Sequence, residues 1–247
     1  MRIALISDIH GNFVSLEAVL RDIGGKRVDS IICLGDVIAT GPRPVECLER
    51  VRDLKCPVIM GNTDERFLTG GKARGKAGGK EVHMLEDMDR WTASQLSGEH
   101  LSFIRTFEAT CDIEISPGVG MLCYHGSPRS NTEMVSSSAD DSKLRTIFAD
   151  HGGRRLYAGG HTHAQLFRKF GTSTIFNPGS VGLPFENLPD GTAVNVPRGE
   201  YAVLESEGPH LSIEFCHVPV DVRRVVEDAL SSGLPHAEVW AGDWQTG

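Results

Sequence analysis

Five short polar motifs are spread along the 247-residue chain, and each follows an apolar run. The motifs are Asp8-Ile9-His10, Gly35-Asp36, Gly61-Asn62-Thr63-Asp64, His125-Gly126 and Gly160-His161-Thr162-His163. Mixed carboxylate, amide and imidazole ligands suit manganese, iron, zinc or similar divalent ions rather than a calcium cage. The motifs therefore supply candidate ligands for a metal centre, namely Asp8, His10, Asp36, Asn62, His125, His161 and His163.

Each motif taken alone also has an ordinary structural explanation. Asp36 could cap a helix, Asn62 could form a turn, and His125 could be a hydrogen-bonded core histidine. Repetition favours one shared site, because α/β sheets bind ligands at the carboxyl ends of their strands and every motif follows a predicted strand. The candidate ligands are too many for one tetrahedral ion but suit two ions that share a carboxylate.

The elements that carry the first three motifs follow a regular order. Short apolar runs over 3–7, 30–34 and 57–60 predict strands, and each ends at a polar or glycine break. Apolar residues at helical spacing predict helices over 13–23 and 44–54. Strands that alternate with helices predict parallel pairing in one sheet.

The rest of the chain predicts a mixture of helices and strands. Helices are expected over 89–95, 99–107, 140–150 and 220–230. Strands are expected over 112–116, 120–124, 155–158, 201–205 and 211–218, with a hairpin over 169–176. With no internal repeat and no obvious linker, we expect one domain over 1–247.

Two segments break this pattern and are expected to be surface loops. Residues 69–80 are rich in glycine and carry Lys72, Arg74 and Lys76 without an acidic residue, so this loop is expected to be mobile. It could hold substrate phosphates or be an ordinary solvated loop. Residues 183–199 are rich in proline, glycine and polar side chains.

Composition limits the possible partners. Hydrophobic residues make up 40% of the chain and charged residues 23%, and no apolar run reaches the roughly 20 residues of a membrane helix. The short apolar start before Asp8 predicts a strand rather than a signal peptide, so we expect a cytoplasmic protein. The net charge of -8 argues against broad nucleic-acid binding. The six isolated cysteines indicate neither a disulfide framework nor a zinc ribbon.

The motifs, followed by Asn177-Pro178-Gly179-Ser180, resemble in type and order those of the calcineurin-like metallophosphoesterases. The resemblance covers nearly the whole chain and is strongest to the small bacterial and archaeal phosphodiesterase branch. It implies an αββα sandwich of two mixed sheets flanked by helices. It also implies a first metal on Asp8, His10 and His163, a second on Asn62, His125 and His161, and Asp36 as the bridge between them.

The resemblance implies a chemistry and a substrate class. Two divalent cations about 3.5 to 4 Å apart would clamp a phosphoryl oxygen and supply a bridging hydroxide, so no protein nucleophile is needed. Catalysis would then depend on the ligands Asp36, Asn62 and His125. Manganese is the expected metal, with iron, zinc, nickel or cobalt as alternatives. The expected substrate is a small-molecule or nucleotide phosphoester, and no sequence-specific nucleic-acid partner is expected.

Three functions remain open within this resemblance. The leading one is a phosphodiesterase, and the second is a phosphomonoesterase, a protein phosphatase or a dinucleoside polyphosphate hydrolase. The third is a non-catalytic scaffold, as in the retromer subunit that has this fold with an altered metal site. The complete set of ligands favours an enzyme.

One position departs from the family pattern. Many relatives have histidine after the Gly-Asn pair, whereas this chain has Thr63, whose hydroxyl cannot act as a general acid at neutral pH. Thr63, Asn12 and Arg198 are candidate substrate contacts, with a surface ion pair as the alternative for Arg198. Asp64 is expected to hydrogen-bond near His10 or its loop, with a helix cap as the alternative.

Overall fold

The protein is described here from a computed structural model, which covers residues 1–69, 80–207 and 210–244. The expectation of a mobile basic loop at 69–80 falls mainly on residues outside that part of the chain. Two mixed sheets face each other and helices pack on their outer surfaces, which confirms the αββα fold class.

The first sheet has four strands in the order β11-β10-β1-β2. Its strands are β1 (Arg2–Ile6), β2 (Ser30–Cys33), β10 (Arg198–Glu207) and β11 (His210–Pro219). β1 pairs in parallel with β2 and antiparallel with β10. The strand predicted over 57–60 is reduced to isolated parallel bridges. Val58 bridges to Cys33 of β2, and Ile59 bridges to Glu108, which lies outside both sheets.

The second sheet has five strands in the order β3-β4-β5-β7-β6. They are β3 (Thr110–Ser116), β4 (Val119–Tyr124), β5 (Leu156–Ala158), β6 (Leu166–Phe170) and β7 (Ser173–Asn177). β4, β5 and β7 are parallel, while β3 and β6 are antiparallel edge strands. The predicted hairpins over 112–124 and 169–176 are therefore present.

Helices cover the outer faces of both sheets. They are α1 (Phe13–Gly25), α2 (Pro44–Leu54), α3 (Asn62–Leu68), α4 (Lys80–Gln95), α5 (Gly98–Ile104), α6 (Asp141–Ile147), α7 (Val222–Ser231) and α8 (Ala237–Gly242). The predicted helix over 89–95 is the end of the longer α4, and α3 and α8 were not predicted. A short 3-10 helix, Ala149–His151, completes the predicted helix over 140–150.

The segment 183–199 is not a plain loop, and that expectation is corrected. It contains two short antiparallel strands, β8 (Phe185–Asn187) and β9 (Ala193–Asn195). The hairpin is held to the segment near the C-terminus, since the Asn195 N–H donates to the Asp243 carbonyl at 2.8 Å. This distant contact stabilises strands that are too short to be recognised from their own sequence.

The core lies in layers that follow the alternation of side chains along each strand. On β1, Ala4 and Ile6 pack against the helices, whereas Ile3 and Leu5 point between the two sheets. A strand that is buried on both faces needs a continuous apolar run, which is what 3–6 supplies. All six cysteines are free thiols. In the described ranges, no helix is long and apolar enough to cross a membrane.

Candidate metal centre

The strand ends of both sheets meet at one edge of the sandwich. Asp8 follows β1 and Asp36 follows β2 in the first sheet, while His125 follows β4 and His161 follows β5 in the second. Each of these strand pairs is parallel, so the carboxyl ends lie side by side. The two sheets together bring residues that are far apart in sequence into one cluster, in which Asp8, Asp36 and His125 are buried and His161 is partly exposed.

Six candidate ligands form two groups in which the ligand atoms lie within 4.8 Å of one another. The groups are Asp8, His10 and His163, and Asp36, His125 and His161. In the first group the two Nε2 atoms of His10 and His163 are 2.9 Å apart. The seventh candidate, Asn62, places its Oδ1 3.0 Å from His125 Nε2, so it adjoins the second group.

Asp36 lies between the two groups. Its Oδ2 atom is 3.7 Å from His10 Nε2 and 3.4 Å from His125 Nε2, so one oxygen faces a histidine of each group. The other oxygen, Oδ1, accepts a hydrogen bond of 2.8 Å from the Thr63 N–H. The main chain thereby fixes the carboxylate in an orientation that suits a ligand shared by two cations.

Asp8 has one oxygen that lacks a hydrogen-bond partner. Its Oδ2 accepts hydrogen bonds from the Ser7 hydroxyl at 2.6 Å and from the His161 N–H at 3.0 Å. Its Oδ1 is buried and has no hydrogen-bond partner among the described residues. Leaving a buried polar group unpaired costs roughly 1 to 3 kcal/mol, and more when it is charged. A bound cation would satisfy this oxygen, so the donor set fits a metal.

Main-chain carbonyls orient three of the four histidines. The Nδ1 atoms of His10, His125 and His163 lie 3.2, 2.7 and 2.8 Å from the carbonyl oxygens of Ala39, Leu34 and Leu183. A carbonyl can only accept, so each Nδ1 carries the proton and donates it. The Nε2 lone pair of each ring then faces the centre of the site, as in metal-binding histidines. Two lone pairs that face each other repel unless a proton or a metal ion lies between them.

Charges in the site favour ionised carboxylates. Burial raises the pKa of Asp8, but the nearby His163 and His10 outweigh it and hold that pKa well below its usual value. Burial also raises the pKa of Asp36, but the nearby His125 outweighs burial and holds that pKa below its usual value. Burial lowers the pKa of His125, but Asp36 and Asp8 raise it to about 9. The carboxylates thus attract positive charge to this cavity, which metal ions would supply.

Asp64 supports the turn that follows Asp36. It is buried, and its Oδ1 accepts hydrogen bonds from the Val37 N–H at 3.0 Å and the Ile38 N–H at 3.3 Å. Burial and the charge of Asp36 raise the pKa of Asp64 to about 7. The cap of its own helix is Gly61 rather than Asp64. Asp64 therefore positions the loop that carries Asp36.

The main chain at the site has unusual torsion angles, which the sequence did not reveal. Five candidate ligands have positive φ: Asp8 at 55°, His10 at 49°, Asp36 at 55°, His161 at 68° and His163 at 55°. This left-handed conformation costs roughly 1 to 2 kcal/mol for each residue that has a Cβ. Hydrogen bonds between the loops hold it, including those from the Asp8 N–H to the Gly35 carbonyl and from the His10 N–H to the Asp36 carbonyl, both 2.9 Å.

Two of the three residues expected to contact substrate have other partners. Asn12 is buried, accepts from the Ser15 N–H at 3.1 Å and donates to the Gly182 carbonyl at 2.9 Å, so both of its polar ends are used. Arg198 forms ion pairs with Glu200 at 2.8 Å and Glu186 at 2.9 Å, which is the alternative that the sequence had left open. Thr63 differs, because its hydroxyl is buried without a hydrogen-bond partner among the described residues.

The motif from Asn177 to Ser180 supports the two ligand loops. Asn177 Nδ2 donates to the Gly160 carbonyl at 2.6 Å, and the Ser180 hydroxyl donates to the Asp8 carbonyl at 2.7 Å. The residue types of this motif do not indicate that role. Nothing in the sequence points to Phe185 either, whose ring centroid lies 6.3 Å from that of His163. A single aromatic residue within a proline-rich segment gives no recognisable signal.

Comparison with known proteins supplies the family context. The profile of the calcineurin-like phosphoesterase superfamily domain matches residues 1–198. An uncharacterized protein of Methanocaldococcus jannaschii is 27% identical over 263 residues, which cover 98% of this chain and 96% of that protein. A metallophosphoesterase from Sphaerobacter thermophilus is 28% identical with a TM-score of 0.75, and the match covers 98% of each chain. A hypothetical protein from Pyrococcus horikoshii shares the fold, with a TM-score of 0.80 at 17% identity over 100% of this chain and 98% of that one.

Proposed function

This chain belongs to the calcineurin-like phosphoesterase superfamily, and on that premise we propose that it hydrolyses phosphodiesters with two divalent metal ions. The observation that carries this proposal is the position of Asp36 Oδ2, within 3.7 Å of His10 Nε2 and 3.4 Å of His125 Nε2. A single carboxylate oxygen that faces two groups of ligands is what a pair of ions requires. Manganese is the metal that we expect to support the reaction best.

The ligands divide between the two ions as follows. We assign Asp8, His10 and His163 to the first ion, Asn62, His125 and His161 to the second, and Asp36 to both. When bound, such ions supply a nucleophile from water at neutral pH and stabilise negative charge on phosphoryl oxygens. The protein contributes the fixed orientation of these side chains, through the carbonyls that hold the histidine rings and the Thr63 N–H that holds Asp36.

One feature supports a diester rather than a monoester as the substrate, and a second concerns the leaving group. A monoester carries more negative charge at neutral pH and is bound best with additional cationic side chains. Arg198, the one cationic candidate for a substrate contact, is already paired with Glu186 and Glu200. Thr63 cannot protonate a leaving group, which favours substrates whose leaving groups depart without help. A monoesterase or a dinucleoside polyphosphate hydrolase remains the second candidate.

Metal analysis and two substrates test the proposal directly. The purified protein should contain about two divalent ions per chain, and chelation should abolish hydrolysis until manganese is restored. With manganese, bis(p-nitrophenyl) phosphate should be cleaved with a higher kcat/KM than p-nitrophenyl phosphate. Faster cleavage of the monoester would contradict the diester preference. Failure to bind metal and to cleave either ester would instead indicate the scaffold alternative.

Replacement of Thr63 by histidine should raise turnover on diesters with poor leaving groups. A general acid in favourable geometry raises the rate by about 10²-fold or more. We expect a rate increase of only roughly tenfold here, because the new ring enters a buried position where no neighbouring group is placed to orient it. The measurement is kcat across a series of aryl leaving groups of increasing pKa. Thr63→Gln is the control, since glutamine fills similar space without titrating near neutral pH. Equal dependence on leaving-group pKa in wild type and Thr63→His would refute the prediction.

A further inference from the structure

Phe185 is an exposed aromatic residue beside the candidate metal centre. It begins β8, has 37% of its surface exposed, and its ring lies 6.3 Å from the His163 ring at an angle of 55° between planes. A single exposed hydrophobic side chain is common on protein surfaces and means little by itself. The location is informative here, because His163 is assigned to the first ion and its Nε2 faces Asp8 Oδ1 at 3.4 Å.

The main chain around Phe185 is held in place on both sides. On one side, the Leu183 carbonyl accepts from His163 Nδ1 at 2.8 Å, which joins the segment before β8 directly to a candidate ligand. On the other, the Val196 N–H donates to the Pro184 carbonyl at 3.0 Å. The side chain of the next residue, Glu186, pairs with Arg198 at 2.9 Å. Phe185 is thus presented at a fixed position beside the site rather than on a free loop.

We propose that Phe185 determines specificity by stacking on a planar aromatic substituent that stays on the phosphorus of the phosphodiester substrate when the leaving group departs. This inference rests on the proposed function and names its substrate class, namely diesters that carry an aryl group or a nucleobase. Aromatic rings pair favourably when their centroids are about 4.5 to 7 Å apart. Stacking on a nucleobase tolerates any base, because every base has a π-face. Phe185 would therefore select aromatic over alkyl diesters without selecting a particular base.

The experiment compares two diesters that have the same leaving group. Bis(p-nitrophenyl) phosphate retains a second aryl group, whereas methyl p-nitrophenyl phosphate has a methyl group in its place. For the manganese-loaded Phe185→Leu variant, we expect KM for the aryl diester to rise about fivefold to tenfold, with kcat changed less than about twofold. For the methyl diester, kcat/KM should stay within about twofold of wild type, and Phe185→Tyr should restore the KM for the aryl diester.

Phe167→Leu is the matched control. Phe167 is also an exposed phenylalanine, 53% exposed on the edge strand β6, where its ring contacts the Lys169 ammonium at 5.5 Å. Its replacement should leave the ratio of the two kcat/KM values unchanged. A third substrate, the p-nitrophenyl diester of thymidine 5′-phosphate, distinguishes the source of the aromatic group. An effect of Phe185→Leu on this substrate as well would extend the stacking to a nucleobase, and an effect on the aryl diester alone would limit it to aryl groups.

The outcomes separate the two proposals. If wild type cleaves these diesters and Phe185→Leu lowers kcat/KM for the aryl and methyl diesters equally, Phe185 only supports His163 and the specificity proposal is overturned. A lower thermal melting temperature together with that equal loss would point to the same conclusion. If wild type cleaves none of the diesters in the presence of manganese, the proposed function fails and the specificity proposal fails with it.

Discussion

Replacement of Asp36 by asparagine should abolish most of the activity, with kcat/KM on a diester falling about 10³-fold or more. Asparagine keeps the size of the side chain but removes its negative charge, and an amide that turns its NH₂ toward the histidines cannot bind a cation. The carboxylate faces His10 and His125 with the same oxygen, so its loss weakens both metal sites together. The measurements are metal content by elemental analysis and steady-state kinetics with manganese.

The control for this variant is Asp53→Asn. Asp53 is an exposed aspartate on α2, and its replacement makes the same change in net charge far from the ligand groups. It should keep wild-type metal content and kinetics. Retention of both ions and of full activity in Asp36→Asn would show that the two-metal proposal is wrong.

Replacement of Gly61 by alanine should lower the free energy of unfolding by about 3 kcal/mol or more. The Gly61 main chain has φ -75° and ψ 157°, which any residue can adopt, so conformational freedom is not the reason for glycine here. The reason is space, because an added Cβ would lie 2.2 Å from both the N and Oδ1 atoms of Asp36. The loops would have to separate, which would also displace the shared carboxylate and reduce metal binding.

Gly24→Ala is the matched control for this stability measurement. Gly24 lies in α1, and an added Cβ there meets nothing within 4 Å. Alanine has the higher helix propensity, so this variant should be as stable as wild type or more stable by up to about 1 kcal/mol. Chemical denaturation of the three proteins gives the comparison. A free energy of unfolding for Gly61→Ala within about 0.5 kcal/mol of wild type would contradict the steric argument.

The first half of the fold could be predicted because its signals are local. The runs over 3–7 and 30–34 are apolar and end at the ligand motifs, and they form the parallel pair β1 and β2. The run over 57–60 carries a similar signal but forms only isolated bridges. Its first residue, Pro57, has no N–H to donate, so the ladder cannot extend in that direction. Composition alone does not indicate how far a short apolar run pairs.

The remainder of the fold depends on contacts between distant residues. Leu5 of β1 pairs with Ala202 of β10, and no local pattern specifies that partner. The packing of the second sheet on the first was implied by the family resemblance rather than by periodicity. The β8–β9 hairpin was missed because prolines interrupt its alternation and because Asp243, near the C-terminus, supplies one of its hydrogen bonds.

The candidate site was predicted better than the residues around it. All seven candidate positions follow predicted strands, and the structure brings six of them into two groups and places Asn62 beside the second. The supporting contacts were not predictable, because they use main-chain atoms such as the Leu34 and Leu183 carbonyls. Main-chain donors and acceptors occur at almost every position of a chain, so a sequence does not reveal which of them a side chain will contact.

The left-handed main chain at the candidate ligands decides how one short motif can contribute to two ligand groups. In an extended strand, residues i and i+2 point to the same side, so His161 and His163 would face one ion together. With φ of 68° and 55° they instead join different groups, His161 with Asp36 and His163 with Asp8. Grafting these side chains onto regular strand ends would therefore not reproduce the two ligand groups. The loop torsions determine which group each side chain joins. Exchanging one ligand type for another would therefore disturb this centre less than inserting or deleting a residue between two candidate ligands.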